Sequence, residues 1–457
     1  MIDKHSQVRN HLLDLLESGK FQPGDKFPGA RQLAKDLGVS FLLAQHVVNS
    51  LVQDGVLASV PRRGVYVREY WKDRRIWNHF VTFIQGLPYF KELGNLMQKE
   101  IPELRCCTMF HTGIFEIRTT ISVQCNRDSY LDLSPFIKGS EELYFSRPFS
   151  GFRDKNGRLF GIPFLWSPRI MLCRTDVLKK YGIERIPQDW TFDDFVSMVK
   201  VLRQHIPPEK ICNYSDLMSF YMNMISGSGG SIVERQANGS MEIKLDSEET
   251  ILGITALRKL RRALGVGKEA VALSTHNKND MAFLFADREC VCALEEKDKW
   301  QAYKLPSISG NSHKVFQSTE LICVRRECSD WKLAEKFVKF MLGEKVQEII
   351  AKNHYGIPIL RSAAEKALDM NNPTDRLFYE ESQYTTTGNL DTKELLSFAY
   401  YGILEAVKSD EPLQKTLKNY ADSMRLICQM RENQEFCRAV RLYEHDAAAF
   451  SLEAYDM

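Results

Sequence analysis

No apolar run in this 457-residue sequence approaches the ~18 residues that would cross a membrane. The first fifteen residues, "MIDKHSQVRNHLLDL", have charges spread throughout, so neither a secretory signal nor a lipidation site is expected and the protein is predicted to be cytoplasmic. The 11 cysteines are odd in number and contain no C-x-x-C pair: Cys106 and Cys107 are adjacent, Cys290 and Cys292 are one apart, and the rest are scattered. That pattern predicts reduced thiols rather than a disulfide framework, and no metal site. A strong charge of one sign is also missing. The formal net charge is +2, and residues 1–70 hold nine Lys/Arg against seven Asp/Glu, so the amino-terminal segment supplies it. Such an excess permits nucleic-acid binding through a local patch without demanding it.

Signatures of catalysis are lacking as well. There is no G-x-S-x-G elbow and no Schiff-base Lys with phosphate-binding partners. "GSGGS" at 227–231 lacks the Lys and Ser/Thr that complete a phosphate loop. No enzyme and no cofactor are therefore expected.

What is present begins with three short helices. "VRNHLLDLLESG" sets Val8, Leu12, Leu15 and Leu16 on one face and stops at Gly19. "FQPGDKFPG" is a turn-rich connector. "ARQLAKDLG" points Leu33, Ala34 and Leu37 inward, and "LGVSFLLAQHVVNSL" forms a third helix capped by Ser40. On that helix Ala44, Val47, Val48 and Leu51 share one side, which leaves Leu42 about 180° away. "GVLASV" and "GVYVRE" flank "PRR" as a hairpin with Arg62 and Arg63 near its tip. Three helices and a two-stranded wing make a winged helix-turn-helix, whose third helix enters the major groove.

Over about residues 4–68 the segment resembles the DNA-binding domain of GntR-type transcription regulators, in "PGDKFP", "RQLAKDLGVS" and the wing glycine of "RRGVYV". The resemblance implies DNA contacts from Arg31, Ser40 and Gly64. This chain departs from the family at Phe41, Leu43 and Gln45, where Arg, Thr and Arg are usual. Base reading is instead expected from Gln45 or Asn49 on adenine and from Phe41 or Leu42 on thymine methyls, with His46 also on the outer face. Arg62 and Arg63 read either as phosphate or minor-groove contacts or as a solvated tip.

Beyond a linker at 71–80, apolar β stretches alternate with amphipathic helices, the pattern of an α/β fold. Strands are expected in "EIRTTISV", "RLFGIPFLW", "RIMLCRT", "MAFLF", "QAYKLP" and "STELICVRR", and long helices in "TFDDFVSMVKVLRQH" and "WKLAEKFVKFMLGEKVQEIIAK". Residues from about 391 to 457 read as a helical tail. The order of "DKNGRLFGIPFLW", "DVLKKYGI", "SGSGGSIVE", "NDMAFLFADRE", "WQAYKLPSISG" and "YGIPILRSA" resembles extracellular solute-binding proteins of carbohydrate transporters. That resemblance implies a two-lobed type 2 periplasmic-binding fold: lobe 1 at 81–165 and 316–372, lobe 2 at 166–315 and 373–457. Crossovers are expected near Phe164–Arg169 and Asn311–Thr319.

It also implies a ligand between the lobes. Trp166 reads as a stacking surface for a sugar ring or as simple core. Ser167 and Arg169 could supply hydrogen bonds, and Tyr221 could line the cleft. Gly229 and Gly230 either allow close backbone approach or form an ordinary turn. Asp287, Trp300, Glu320 and Tyr355 complete the candidate set. The whole reads as a homodimeric, ligand-responsive regulator of operator DNA that senses a small molecule, a sugar or oligosaccharide. The alternatives are an aminotransferase-like body and a DNA-silent protein acting through protein partners.

Overall fold

The computed structural model describes residues 4–71, 76–84, 89–107, 112–154, 156–236, 240–267, 278–310, 313–388 and 392–432. The head contains α1 (Lys4–Glu17), β1 (Lys26–Phe27), α2 (Ala30–Leu37), α3 (Phe41–Gln53), β2 (Leu57–Val60) and β3 (Gly64–Val67). Its strands form an antiparallel sheet in the order β1-β3-β2, and Val60 pairs with Gly64 across the hairpin tip. Ser40 caps α3 by accepting from the Leu43 amide, and Gly38 closes α2 in the left-handed conformation. Ala44, Val47, Val48 and Leu51 are buried as the periodicity requires. One inward position differs: Leu13 is fully buried, while Leu15 is only packed against the core from its edge.

The expected linker at 71–80 is shorter than proposed. Trp71 is buried with Val56 and Leu57 in the head's own core, and a strand starts at Ile76, because "IWNHFVT" is apolar enough to be taken into a sheet. Residues 72–75 lie outside the described residues.

The body opens with β4 (Ile76–Thr82), α4 (Phe90–Glu100), β5 (Arg105–Cys107), β6 (Thr112–Thr119), α5 (Thr120–Cys125) and α6 (Ser134–Ile137). The expected strand "EIRTTISV" therefore ends at Thr119, and its second half turns helical. β7 (Ile162–Ser167) leads into β8 (Ile170–Arg174), α7 (Thr175–Lys180), α8 (Phe192–Arg203), α9 (Met218–Gly227), β9 (Val233–Arg235), β10 (Met241–Ile243) and α10 (Glu248–Leu264). Then follow β11 (Phe283–Ala286), α11 (Arg288–Cys292), β12 (Trp300–Tyr303), β13 (Val315–Phe316) and β14 (Ser318–Val324). The chain closes with α12 (Trp331–Leu342), α13 (Glu344–Asn353), β15 (Ile357–Pro358), α14 (Arg361–Ala367), α15 (Pro373–Glu381), β16 (Thr385–Thr386), α16 (Lys393–Lys408) and α17 (Leu413–Glu432). The long helix expected at 331–352 is split by Gly343, whose extended backbone caps α13. Of the expected helical tail, α16 and α17 are seen, and residues 433–457 lie outside the described residues.

A six-stranded sheet ordered β15-β7-β14-β6-β4-β5 builds the first lobe, and a three-stranded sheet ordered β11-β8-β12 is the centre of the second. Two apolar cores are formed, one around Phe115, Phe164 and Phe337 that also takes in Ile170, Leu172 and Leu284 of the second sheet, the other around Phe195, Tyr221 and Leu257. The two connecting strands lie side by side. Ser167 at the end of β7 pairs with Ser318 at the start of β14; the chain passes to β8 through Pro168–Arg169 and returns through Gln317. A bulge at Phe164 shifts the register, so that Glu320 faces Leu165 while Leu321 faces Pro163. Asn311, named at the second crossover, lies outside the described residues.

Candidate functional site

Two surfaces carry chemistry. On the head, Leu42 is 63% and Phe41 49% exposed, an apolar pair on the outer side of α3. Leu43 instead turns in and packs against the core. The Arg31 guanidinium sits 5.9 Å from the centre of the Phe41 ring, so the phenyl ring steadies the cation beside the recognition helix. The Gln45 side-chain amide donates to Asn49 Oδ1 at 3.0 Å, one turn along the helix. His46 is exposed beside them. At the wing, Arg62 adopts a left-handed backbone (φ 63°), Arg63 is exposed, and Gly64 has φ 117°, where a side chain would be strained. Helix and wing thus present apolar, amide and cationic groups.

In the body, the candidates separate. Trp166 lies in the first core with its ring 5.7 Å from Phe145, and its buried Nε1 has no hydrogen-bond partner among the described residues. Ser167 Oγ donates to the Pro168 carbonyl and accepts from the Arg288 amide, so it ties the crossover. Arg169 pairs with Asp287 at 3.7 Å. Burial would raise the Asp287 carboxyl, but Arg169 and the Cys290 amide outweigh it and hold it below its ordinary value. Asp287 also caps α11. Glu320 has a buried carboxyl with one unpaired oxygen, and burial pushes it up to about 8, so it is a neutral acid near pH 7. Tyr355 packs its ring on Tyr89, 5.7 Å away.

Four assignments are corrected. Tyr221 is wholly buried, and its hydroxyl donates to Asp216 within a cluster completed by Arg261, Tyr214 and Lys408; a phenol committed to a carboxylate is core, not a cleft wall. Gly229 forms an ordinary left-handed turn (φ 86°) after α9, and a Cβ on Gly230 would come within 2.8 Å of the Thr250 backbone, so Gly230 serves the packing against α10. Trp300 faces Arg174, at the end of β8 remote from Ser167, and borders a separate open groove of about 790 Å³ with Lys179, Arg185 and Thr374.

Other residues converge where the lobes meet. Thr120, Gln124, Asn223 and Gln317 are buried, and Thr120 Oγ1, Gln124 Oε1, Asn223 Oδ1 and Gln317 Oε1 lack partners among the described residues. The elements that carry them share neighbours. Gln124 reaches the Gly388 carbonyl, and the Gly388 backbone lies against Met222 and Phe316, the residues next to Asn223 and Gln317. Gln317 in turn donates to Thr319, which faces Trp166 across the strands. Buried polar atoms are ordinarily paired, so this set is suited to a polar molecule held between the lobes. The sequence carries little signal for this set: "FYMNMIS" places one amide among apolar residues, while "TTISVQC" mixes Thr, Ser and Gln with apolar side chains. Among the described residues no group of three or more His, Cys, Asp or Glu side chains is placed to hold a metal ion, and no helix is long and apolar enough to cross a membrane.

Comparison with known proteins matches two parts of the chain to two different families. The model of bacterial regulatory proteins of the gntR family matches residues 4–67, and that of bacterial extracellular solute-binding proteins matches residues 117–374. An uncharacterized lipoprotein in the oleD 5' region of Streptomyces antibioticus is 21% identical over 218 residues, 44% of this chain and 47% of that protein. The uncharacterized HTH-type transcriptional regulator YdcR of Escherichia coli K12 is 33% identical over 64 residues, 14% of each chain. The chain thus spans less than half the length of these curated relatives. Among solved structures, maltose-bound MalE3 of T. maritima aligns with a TM-score of 0.59 at 14% identity, over 76% of this chain and 99% of that one. The substrate-binding protein Lmo0181 of Listeria monocytogenes, in complex with cycloalternan, aligns with a TM-score of 0.62 at 15% identity, over 77% and 99%. At such identities the likeness establishes the fold.

Proposed function

The chain belongs to the bacterial extracellular solute-binding protein family and carries a gntR-family DNA-binding head; from that premise we propose that it is a ligand-responsive transcription regulator. The head holds operator DNA, and the space between the lobes takes a sugar or oligosaccharide. One observation supports the ligand class: the buried oxygens of Gln124, Asn223, Gln317 and Glu320 have no hydrogen-bond partner among the described residues, and the elements that carry them meet near the crossover. The Nε2 of Gln124 and the Nδ2 of Asn223 already donate to backbone carbonyls, so their oxygens are left as acceptors. Hydroxyl groups supply the donors that such acceptors need. The relatives whose structures hold maltose and cycloalternan agree with a carbohydrate.

In this reading the protein acts in the cytoplasm as a homodimer on two-fold related half-sites, and ligand shifts the population of lobe arrangements. The test is a thermal-shift panel of neutral sugars and sugar acids, run beside promoter-DNA binding. A ligand at 100 times its Kd stabilises the fold by about 2.7 kcal/mol. A panel silent throughout overturns the carbohydrate reading, and absence of any salt-dependent DNA binding overturns the regulator.

A further inference from the structure

The lobes touch through a contact that only glycine permits. A Cβ on Gly151, in the first lobe's 3-10 turn Arg147–Phe152, would lie 1.8 Å from Thr387 Oγ1 and 2.6 Å from Thr387 Cβ. Rotating the threonine hydroxyl away gives no relief, because the Cβ is fixed by the backbone. On the next residue, Gly388 has φ +61°, and a Cβ there would stand 2.6 Å from Met222 Cε on α9 of the second lobe. β16, which precedes this pair, runs parallel to β13, itself packed on α9. Thr385–Gly388 is therefore seated on the second lobe and pressed against the first.

Donors and acceptors follow the same division. Gln124 Nε2 donates to the Gly388 carbonyl at 3.0 Å and approaches that of Thr387 at 3.5 Å. Arg147 Nη1 donates to the Thr385 carbonyl at 3.3 Å. Arg127 Nη2 donates to the Gly151 carbonyl at 3.2 Å and holds the turn in place. First-lobe side chains thus grip backbone carbonyls of the other side, and α5 adds Ile121 and Cys125 to the second core.

We infer that Gly151, Gln124 and Arg147 with Thr385–Gly388 form a clasp through which the protein's own contacts hold the lobes together. The inference rests on the two-lobe reading above and deepens it: closure is set in part by the chain itself, so a ligand has less of the population to shift. Since the acceptors are main-chain carbonyls, the clasp depends on the missing side chain at 151 more than on the identities of residues 385–387.

The test uses the full chain with no ligand, by small-angle scattering and by amide hydrogen exchange of the peptides spanning 147–152 and 385–388. Gly151→Ala is expected to lengthen the scattering profile and speed exchange in both peptides. Adding Thr387→Gly, which removes the atoms the new methyl meets, should return both readouts toward the parent. Gln124→Ala should speed exchange in the 385–388 peptide about fivefold, the loss of one typical hydrogen bond. Parent-like scattering and exchange in Gly151→Ala overturns the clasp, and so does an opened Gly151→Ala protein that Thr387→Gly fails to rescue. If Gly151→Ala does not fold, parent-like exchange in Gln124→Ala overturns it instead. None of these readouts uses sugar, so a silent sugar panel counts against the proposed function and leaves the clasp standing.

Discussion

Asn10, buried on the first helix of the head, donates its side-chain amide to the Glu327 carbonyl 2.5 Å away, just past the end of β14. Around it, Asn78 on β4 donates from its side-chain amide to Asp14 Oδ1 at 2.7 Å and to the Asn10 carbonyl at 3.3 Å. The head is thereby joined to the first lobe by more than the chain connection. Glu116, beneath this junction, is buried between Arg118 and Arg325 and hydrogen-bonded by Tyr130. Burial would raise its carboxyl, yet the two guanidinium groups hold it below the ordinary range.

Coupling should pass through that junction. Asn10→Ala with Asn78→Ala is expected to leave the DNA affinity of the ligand-free protein within about twofold and to cut the ligand's effect on it. Coupling energies run about 1–3 kcal/mol, and hydrogen bonds of this kind contribute about 1 kcal/mol each, so most of the response should go. Fluorescence anisotropy of labelled operator with and without an active sugar decides it; an undiminished response in the double variant sinks the idea.

On DNA, the amide pair and the stacked arginine should separate. Gln45→Ala and Asn49→Ala are expected to relax discrimination at one or two A·T positions by about 1–3 kcal/mol. Arg31→Ala should weaken all DNA evenly and lower the slope of log K against log salt by about 1. Competition between operator and shuffled DNA across a salt series measures both, and a sequence preference untouched by the first pair refutes the base-reading assignment.

Glu320 gives a pH signature. Burial pushes its carboxyl up to about 8 in the folded chain, against the ordinary 4.5 when exposed, so between those values the folded state holds a proton that the unfolded state has released. Stability from this group is therefore lost as pH rises through that window, on the order of 1.4 kcal/mol per unit at most. Glu320→Gln, which stays neutral, should raise Tm more at pH 8 than at pH 5. An equal change at both pH values would show that the carboxyl is not buried in this way.

The Asp216 cluster should behave as core. Asp216→Ala leaves Arg261 and Lys408 without their shared carboxylate and is expected to cost about 3–5 kcal/mol by denaturant unfolding. Tyr221→Phe should cost about 1 kcal/mol and leave sugar affinity unchanged; a tenfold loss of affinity would restore Tyr221 to the cleft.

Much of the architecture could be read from periodicity and punctuation. The stripe through Ala44, Val47, Val48 and Leu51 fixes α3 and turns Leu42 outward, and Thr191 with Asp194 forms the full capping box that starts α8. The crossover at Ser167 was found because "GIPFLWSP" keeps its order. The candidate site was harder to see. Trp166 and Trp300 look alike in sequence, yet register puts one at the lobe junction and the other at the far end of β12. Thr120, Gln124, Asn223 and Gln317 are not legible in the sequence because what marks them is burial, which depends on long-range packing rather than on neighbours in the chain. Gly343 and Thr119 show the same limit locally: the apolar pattern continues through both, and tertiary packing decides where each element ends.

β14 is paired on both sides within the first lobe's sheet, and it runs from Ser318 beside the crossover toward Glu327, where the head is attached. Head and first lobe then form the stationary frame, and any closing stroke is made by the second lobe. In a two-fold dimer the spacing of the two recognition helices would change only where second lobes push on one another or on the opposite frame. An assembly joined solely through its heads would bind ligand and leave the operator unaware of it.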